Sequence, residues 1–347
     1  MTAQTRNNSK IRNTIIILLI FLLAFFLHEY YPIDKIKVQP PKITTQSGIE
    51  DKGTLQFYFC PKDNCEKVLL DVLQTAQSSI HCAIYDLDLQ SLKQLFQTKA
   101  TQMDVEIVMD DGYVKKFNTE FTHADKQGEM HDKFCIVDNK LMFTGSANPT
   151  NNDAHKNNNN VLVTNIPSLI ENYQDEFQEL WNGTFKSGKP VQTPLIFVQN
   201  TTIQNYFCPE DHCADHIQAE LEKAQHSIYF MAFSFTHENI ANVLLLKKQD
   251  NLTVEGVMEK RTIDQFSQFY RLNQNGISVL KDGNNQTMHH KVFIIDQQTV
   301  ITGSMNPTGN GDKYNDENVL VIHDPVIAEM FMEEYGRVRG EAGMNEK

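Results

Sequence analysis

The chain has 347 residues, of which 40% are hydrophobic and 22% are charged, a composition that excludes a disordered, collagen-like or multi-span membrane protein. Its 31 Lys and Arg against 44 Asp and Glu give a formal net charge of −13, which argues against binding nucleic acid or anionic lipid through bulk positive charge. Six cysteines in so long a chain exclude a small disulfide-stapled scaffold.

The amino terminus has a membrane-targeting pattern. Residues 1–13 are basic, and an uninterrupted apolar run (TIIILLIFLLAFFL) follows at 14–27, ahead of Tyr30 and Tyr31. The run is short for a helix crossing about 30 Å of hydrocarbon, but interfacial tyrosines extend it, so 14–31 is predicted to be a transmembrane signal anchor. A cleaved signal peptide is the alternative, although no small-residue cleavage site follows. The basic end predicts a single-pass protein with its N-terminus in the cytosol and the rest beyond the membrane, tethered by a linker at 32–53.

The remainder of the chain contains an internal repeat. The segment YFCPKDNC at 58–65 recurs as YFCPEDHC at 206–213, and HDKFCIVDNKLMFTGSANP at 131–149 recurs as HHKVFIIDQQTVITGSMNP at 289–307. These matches predict repeat 1 at residues 54–185 and repeat 2 at 201–340, with a linker at 186–200 and a tail at 341–347.

Each repeat alternates β-branched or aromatic runs with stretches of helical period. In repeat 1, strands are predicted at 55–59, 79–85, 105–109, 134–137 and 141–144, and helices at 66–76, 89–100 and 167–181. Repeat 2 adds a helix and a strand within 265–281, where repeat 1 has a polar loop at 119–129, and it ends in a helix from 324 to about 338. The alternation predicts an α/β sandwich with a mostly parallel sheet, and the duplication predicts a pseudo-twofold arrangement with a site shared between the repeats.

Two histidine–lysine–asparagine sets carry the predicted chemistry. They are His131, Lys133 and Asn148 in repeat 1, and His289, Lys291 and Asn306 in repeat 2. Residues i and i+2 of a strand share a face, so each His and Lys project together, and the following hairpin brings the Asn beside them. An imidazole, an ammonium and a carboxamide that converge can stabilise a phosphoryl group. Because the spacing is duplicated, we expect a catalytic role for these six residues rather than a solvated face.

Other motif residues are predicted to support this site. Asp138 and Asp296 are expected to anchor the hairpins through backbone hydrogen bonds, and Ser146 and Ser304 to support the asparagines. The remaining two cysteines, Cys82 and Cys135, follow apolar alternation and are assigned to the core.

The pattern HxKx₄D with a trailing GSxN, complete twice, resembles the phospholipase D superfamily. Repeat 2 is especially similar to Zucchini-type endonucleases, mitochondrial cardiolipin hydrolases and small bacterial endonucleases, which carry one motif per chain and dimerise, so this chain looks like a fused dimer. The resemblance implies two α/β/α sandwiches, a site complete within one chain, and a two-step displacement that needs no cofactor or catalytic metal. It implies His131 as the nucleophile, His289 as the acid and base, and the lysines and asparagines as ligands of the phosphoryl oxygens.

One position distinguishes the repeats. Glu317 lies 28 residues after His289, where repeat 1 has Asn159 after His131. In the family, a carboxylate at this position binds the imidazole N–H and favours the charged ring. The sequence therefore assigns Glu317 to His289 and Asn159 to His131, and predicts that His289 is the more basic. The alternative is that another carboxylate serves His131.

The cysteine pairs Cys60/Cys65 and Cys208/Cys213 repeat at C-x₄-C, each ahead of a predicted helix. Local disulfides and a shared structural zinc site are both open, and the Zucchini resemblance keeps zinc in consideration. Either role is structural.

The sequence leaves the substrate open between single-stranded nucleic acid and phospholipid. Polar loops near the motifs and scattered bases (Lys115, Lys116, Lys260, Arg261, Lys313) favour an endonuclease, although no stretch interleaves aromatic and basic residues. The predicted anchor and the family's cardiolipin hydrolases favour a phospholipase D. A phosphate-binding module without turnover is a third alternative.

Overall fold

The computed structural model describes residues 48–126 and 128–344. The predicted anchor at 14–31 and most of the predicted linker at 32–53 lie outside the described residues. Within the described ranges, no helix combines the length and the apolar character needed to cross a membrane.

Repeat 1 folds into a mixed sheet with the strand order β2-β9-β8-β7-β3-β4-β5. Its strands are β2 (Leu55–Cys60), β3 (Ser79–Ile84), β4 (Asp104–Met109), β5 (Thr122–Ala124), β7 (Lys133–Val137), β8 (Leu141–Gly145) and β9 (Asn159–Thr164). Two short strands, β1 (Ile49–Glu50) and β6 (Glu129–Met130), pair instead with strands of repeat 2. The helices are α1 (Cys65–Gln74), α2 (Gln90–Ala100), α3 (Asn151–His155) and α4 (Pro167–Trp181), with a 3₁₀ turn at Val114–Phe117.

Repeat 2 has the strand order β10-β11-β17-β16-β15-β12-β13-β14. Its strands are β10 (Leu195–Val198), β11 (Thr201–Cys208), β12 (Ser227–Ala232), β13 (Thr253–Met258), β14 (Ser278–Lys281), β15 (Lys291–Ile295), β16 (Thr299–Gly303) and β17 (Asn315–His323). The helices are α5 (Cys213–Glu222), α6 (Glu238–Gln249), α7 (Phe269–Gln274), α8 (Gly309–Lys313) and α9 (Pro325–Met344), with a 3₁₀ turn at Lys260–Thr262. The predicted α/β fold with two repeated halves is confirmed.

The prediction of a mostly parallel sheet is wrong. Among the described residues, each repeat has two parallel pairings between its own strands: β3–β4 and β4–β5 in repeat 1, and β12–β13 and β13–β14 in repeat 2. The short strands β1 and β6 add one parallel pairing each with repeat 2. The four pairings of β2–β9–β8–β7–β3 and the four of β11–β17–β16–β15–β12 are antiparallel. The reason is the motif hairpin: a tight turn can join only antiparallel strands, whereas a helical crossover is needed for parallel ones. The polar loop predicted at 119–129 also contains β5, which pairs with β4, and the first residue of β6, which pairs with the start of β17.

The two repeats share one apolar core. Tyr173 of α4 packs edge-on against Phe134 of its own repeat and Phe207 of repeat 2, with ring centroids 5.0 Å apart in both cases. Phe331 of α9 packs in the same way against Phe57 of repeat 1, at 4.9 Å. Aromatic pairs in this geometry stabilise packing beyond their buried area. Because α4 and α9 each contact the other repeat, the core fixes how the two sheets meet, and the motif strands meet with them.

All six cysteines form disulfides. Cys60–Cys65 and Cys208–Cys213 close the turns ahead of α1 and α5, so of the two alternatives left by the sequence the structure has the disulfides. Cys82–Cys135 was predicted only as core; the two residues stand directly opposite each other on β3 and β7 and are cross-linked there.

Removing the Cys82–Cys135 bond is expected to be the most destabilising cysteine change. The bond joins residues 53 positions apart, and a loop of that length corresponds to about 4 kcal/mol of chain entropy lost by the unfolded state. We expect Cys82→Ala with Cys135→Ala to lower the free energy of unfolding by about that much in urea denaturation. The matched control is Cys60→Ala with Cys65→Ala, whose short loop predicts about 2 kcal/mol. Equal losses from the two pairs would contradict the argument.

Candidate active site

The two motif histidines lie at the junction of the repeats. The backbone N–H of His131 donates to the Asp316 carbonyl (2.9 Å), and that of His289 donates to the Asn158 carbonyl (2.8 Å). β6 runs parallel to the start of β17, and Asn158 forms the matching bridge with Met288. Each histidine is therefore docked on the strand that follows the other repeat's motif, which brings both motifs to one place.

The imidazole contacts cross between the repeats. His131 Nδ1 lies 2.8 Å from Glu317 Oε2, whereas His289 Nδ1 lies 2.9 Å from Asn159 Oδ1 and 3.1 Å from the Ser146 carbonyl. The sequence-based pairing of Glu317 with His289 and of Asn159 with His131 is wrong. A carboxylate in direct contact favours the imidazolium more than an amide oxygen does, so the expectation that His289 is the more basic falls with that pairing.

The surroundings of both imidazoles disfavour their charged form. Burial first, and then the charges of Lys133 and Lys291, hold the pKa of His131 and of His289 well below the ordinary value. Burial raises the pKa of the Glu317 carboxyl to about 7 against the opposing effect of Lys133. With Nδ1 turned to Glu317 or Asn159, each ring has Nε2 as its remaining nitrogen.

The two lysines place buried positive charge beside the histidines. Lys133 Nζ donates to the His131 carbonyl, and Lys291 Nζ donates to the His289 carbonyl at 2.8 Å. Each ammonium also lies over an aromatic ring, Lys133 4.9 Å from the centroid of Tyr85 and Lys291 5.1 Å from that of Phe233. Within the described part of the chain neither ammonium has a carboxylate within 4 Å, so both charges are available to an anion.

Anion binding is expected to weaken at alkaline pH because the lysines are buried. Burial lowers the pKa of Lys133 to about 8 despite nearby carboxylates. Below that pH Lys133 is charged and attracts phosphate; above it each pH unit costs up to about tenfold in affinity. We expect the inhibition constant of inorganic phosphate to be level below pH 7 and to rise through pH 8 to 10. Lys133→Arg, whose cation persists over this range, should reduce the rise and leave the part that Lys291 contributes, because burial lowers the pKa of Lys291 as well. A constant that stays level in the parent protein up to pH 10 would contradict this assignment.

The glycine of each GSxN segment lies where two strands approach closely. Gly145 and Gly303 have φ of +139° and +147°, and a Cβ there would lie 2.4 and 2.2 Å from the carbonyls of Asn160 and Asn318. Only glycine allows β8 and β16 to approach their neighbours this closely.

Each motif serine forms a hydrogen bond with the strand that supplies a partner to a histidine: Ser146 with β9 and Ser304 with β17. Ser146 Oγ donates to Asn159 Oδ1 at 3.0 Å, and Ser304 Oγ accepts the backbone N–H of Asn318 at 2.9 Å. The motif asparagines, Asn148 and Asn306, lie two residues after these serines and are partly buried. Asn148 Nδ2 donates to Asp153 Oδ2, whereas Asn306 has no carboxylate partner among the described residues.

Asp138 and Asp296 lie away from this site. Each follows the far end of its motif strand, about 16 Å along β7 or β15 from the lysine. Asp138 accepts the backbone N–H groups of residues 77–79, and Asp296 those of 225–227, so they anchor the starts of β3 and β12 rather than the hairpins alone. Against the opposing effect of partial burial, these bonds lower the pKa of Asp138 to about 2.

Comparisons with known proteins assign the chain to a family. The family model described as "Cardiolipin synthase, PLD-like domain" matches residues 69–181 and 217–339, which together are more than half of the chain. The chain belongs to the phospholipase D superfamily.

Individual relatives of this superfamily member are phosphodiester hydrolases by name. A phospholipase D of Rickettsia typhi is 35% identical over 192 residues, covering 51% of this chain and 93% of that protein. A mitochondrial cardiolipin hydrolase of Xenopus laevis is 27% identical over 172 residues, covering 46% and 82%. The phosphatidylserine synthase of Haemophilus influenzae has a TM-score of 0.62 over 82% of this chain and 85% of its own at 9% identity, which shows the fold alone. The prediction of a superfamily phosphodiesterase is confirmed.

Three groups of side chains in the described ranges are close enough to hold a metal ion. They are His81, Asp104 and Glu106; Asp110, Asp111 and Asp125; and Glu176, Glu179 and Glu210. None of these groups contains a motif histidine.

Three residues beside the motif histidines were missed by the sequence analysis. The rings of Tyr85 and Phe233 each pack edge-on against a motif histidine, with centroids 4.6 Å apart. Asp153 Oδ2 lies 3.7 Å from His289 Nδ1. The two aromatic residues stand at matching positions of the repeats, so aligning the repeats could have found them. The same alignment places Asp153 opposite Gly311, and this difference between the repeats is the one sequence signal that points to Asp153.

Proposed function

We propose that this phospholipase D superfamily member is an endonuclease-type phosphodiesterase acting on single-stranded nucleic acid. The observation that carries the proposal is an aromatic and basic ledge beside His131, formed by Tyr85, Tyr113 and Lys116. The Tyr85 ring lies 4.6 Å from His131 and 4.8 Å from Tyr113, and Lys116 Nζ lies 4.7 Å from the Tyr113 ring. Alternating aromatic rings and cations hold unpaired bases and the backbone of a single strand.

The ledge supplies the interleaved aromatic and basic groups that no continuous stretch of the sequence contains. Tyr85 follows β3, whereas Tyr113 and Lys116 come from the 3₁₀ turn after β4, so the interleaving of aromatic and basic groups exists only in three dimensions. Lys116 Nζ also forms an ion pair with Asp86 at 2.8 Å, and the lysine side chain stays 40% exposed. Lys260 and Arg261, two other bases noted in the sequence, bind carbonyls of residues 284–286 and are committed to that loop.

The proposed first step is attack on phosphorus. His131 Nε2 forms a P–N bond while the bond from phosphorus to the leaving oxygen breaks, and His289 gives that oxygen a proton. Glu317 stabilises the positive charge that His131 gains, since it accepts the Nδ1 proton at 2.8 Å. Lys133, Lys291, Asn148 and Asn306 hold the phosphoryl oxygens.

The proposed second step is hydrolysis of the phosphohistidine. His289, now neutral, takes a proton from water, whose oxygen attacks phosphorus as the P–N bond breaks. The contacts support this role order. Direct contact with Glu317 suits a ring that becomes cationic, and the neutral oxygens of Asn159 and Ser146 suit a ring that must release its proton. No step in this scheme uses a metal ion, and we propose that the site is complete within one chain.

A phospholipase D acting on membrane lipid is the second candidate function. The names of the Rickettsia and Xenopus relatives favour it. The phosphodiester chemistry would be the same, with phosphatidic acid as the product.

We also propose that residues 14–31 anchor the chain in a membrane, with the catalytic region beyond the cytosol. Three disulfides in the described region support this placement, because such bonds persist in oxidising compartments.

The deciding experiment offers both substrate classes to one preparation. The full chain, purified in detergent, is incubated in EDTA with labelled single-stranded DNA or RNA, and separately with cardiolipin or phosphatidylcholine in mixed micelles. We expect strand cleavage, lost in His289→Ala. Headgroup release with intact nucleic acid would replace the nuclease by the phospholipase, and phosphate binding without turnover of any substrate would leave a binding module.

Truncating the ledge tests the substrate class directly. Tyr113→Ala removes one stacking surface, which corresponds to roughly a tenfold rise in KM for an oligonucleotide. The matched control is Tyr270→Ala in α7, an exposed ring outside the ledge, for which KM should not change. Equal KM values in the two variants would count against the ledge as a binding surface.

A further inference from the structure

We propose that Asp153 is the carboxylate partner of His289. Each repeat would then supply one carboxylate to the opposite histidine, but from a different position in its own chain segment. The inference rests on the proposed function and deepens it, because it assigns a positioning residue to the acid and base of that site.

The buried carboxylate of Asp153 lies close to Nδ1 of the His289 ring. Asp153 is 4% exposed, and its Oδ2 lies 3.7 Å from His289 Nδ1, just beyond Asn159 Oδ1 at 2.9 Å. The same oxygen accepts the backbone N–H of Asn148 at 2.8 Å and its Nδ2 at 2.9 Å. Asp153 therefore touches both repeat 1's phosphoryl-binding amide and repeat 2's histidine.

The repeats show an exchange at two positions. Aligned on their histidines, Asp153 and Asn159 of repeat 1 stand opposite Gly311 and Glu317 of repeat 2. Each repeat thus carries one carboxylate near the opposite histidine, but from a different element: repeat 1 uses α3, and repeat 2 uses β17.

Repeat 2 has no room for a carboxylate at the α3 position. A Cβ on Gly311 would lie 2.4 Å from the Asn306 carbonyl, so a side chain there would displace the backbone of the phosphoryl-binding asparagine. In repeat 1, Asn159 gives His289 a hydrogen bond but no negative charge, because Asp153 supplies the charge. The exchange preserves one carboxylate per histidine while changing its distance from 2.8 to 3.7 Å.

The longer distance has a chemical consequence. The groups facing His289 are Lys291 on β15, Lys133 on β7, His131 before β7, and Asp153 on α3. Burial opposes protonation of His289 most strongly, and Lys291, Lys133 and His131 add to that opposition. The Asp153 carboxylate, 3.7 Å from Nδ1, is the group placed to offset them. A carboxylate 3.7 Å away, and not in direct contact, favours the protonated His289 ring for the first step. It still allows the ring to release its proton readily, which is what a general acid requires.

A purely structural role is the competing account, because Asp153 also orients Asn148. Asp153→Asn separates the two, since the amide keeps the size and an oxygen for Asn148 but removes the charge. If Asp153 acts on His289, removing the charge lowers the pKa of His289, so the alkaline limb of the rate profile moves to lower pH. The rate loss should be roughly 10- to 100-fold for a poor leaving group and near zero for p-nitrophenolate, which needs no acid.

Two further variants complete the test. Adding Asn159→Glu to Asp153→Asn returns a carboxylate from the repeat 2 position, and we expect it to restore the alkaline limb. Asp312→Asn, which removes a carboxylate of α8 that pairs with His237, should leave the limb in place. A uniform loss with both leaving groups and an unmoved limb would overturn the proposal and leave Asp153 as a support for Asn148.

An NMR titration of the two imidazoles makes the test independent of activity. Asp153→Asn should lower the pKa of His289 and leave that of His131 in place, whether or not any substrate is turned over. An unchanged His289 pKa would reject the inference even if the phosphodiesterase is active. Absence of turnover with a shifted pKa would reject the proposed function alone.

Discussion

His131→Ala is expected to lower phosphodiester turnover by about 10⁴-fold or more and to abolish any covalent phosphoenzyme, whereas His289→Ala is expected to accumulate one from a substrate whose leaving group needs no proton. The first loss has that size because removing a nucleophile deletes the reaction path itself, leaving only the contribution of binding and electrostatics. The second variant retains the nucleophile but has no group to protonate the leaving oxygen or to activate water.

A substrate with a good leaving group separates the two histidines. With bis(p-nitrophenyl) phosphate, His289→Ala should release one equivalent of p-nitrophenolate in a burst and then stall, because the leaving group departs without a proton and the P–N bond persists. Mass spectrometry of the quenched protein should place the phosphoryl group on His131. A burst in His131→Ala with the modification on His289 would reverse the role order while leaving the mechanism in place.

Glu317→Gln is expected to lower turnover by about 10²- to 10³-fold, with activated substrates affected as strongly as unactivated ones. Glu317 is fully buried, and its Oε2 accepts the His131 Nδ1 proton at 2.8 Å, so its charge stabilises the ring as phosphorus is attacked. Glutamine keeps an acceptor of similar size but cannot offset the positive charge.

The pH profile of Glu317→Gln supplies an independent readout. Burial raises the pKa of Glu317 to about 7, so the carboxylate is present above that pH and is lost as the pH falls through it. The parent protein should therefore lose activity on the acidic side of pH 7, and the variant should lack that limb.

The control and the contradicting outcome are both defined by the structure. Glu334, which is also buried, lies 3.0 Å from His290 Nε2, so Glu334→Gln alters a buried glutamate–histidine pair next to the site without touching a motif histidine. It should leave the acidic limb unchanged. If Glu317→Gln instead spared activated substrates, Glu317 would be acting on the acid rather than on the nucleophile, as the sequence alone had suggested.

The sequence was sufficient to find the chemistry because the motif is local. His, Lys and Asn fall within eighteen residues in each repeat, and strand period and hairpin connection decide that they share a face. The duplication then identified both halves of the site, and the α/β class followed from the alternation of elements. The sheet direction failed because periodicity describes one strand at a time and contains no information about its neighbour.

Only the tertiary structure decided which groups serve which histidine. Glu317 and His131 are 186 residues apart, and Asn159 and His289 are 130 apart, so their contacts depend on how α4 and α9 pack the two sheets against each other. The approach of Asp153 to His289 arises in the same way. The ledge of Tyr85, Tyr113 and Lys116 depends instead on the pairing of β3 with β4 within one sheet. The sequence by itself determined the reacting groups, since these are set by residue type and short-range spacing. The fold determined their electrostatic partners, because buried charges interact through space across elements that the chain order separates.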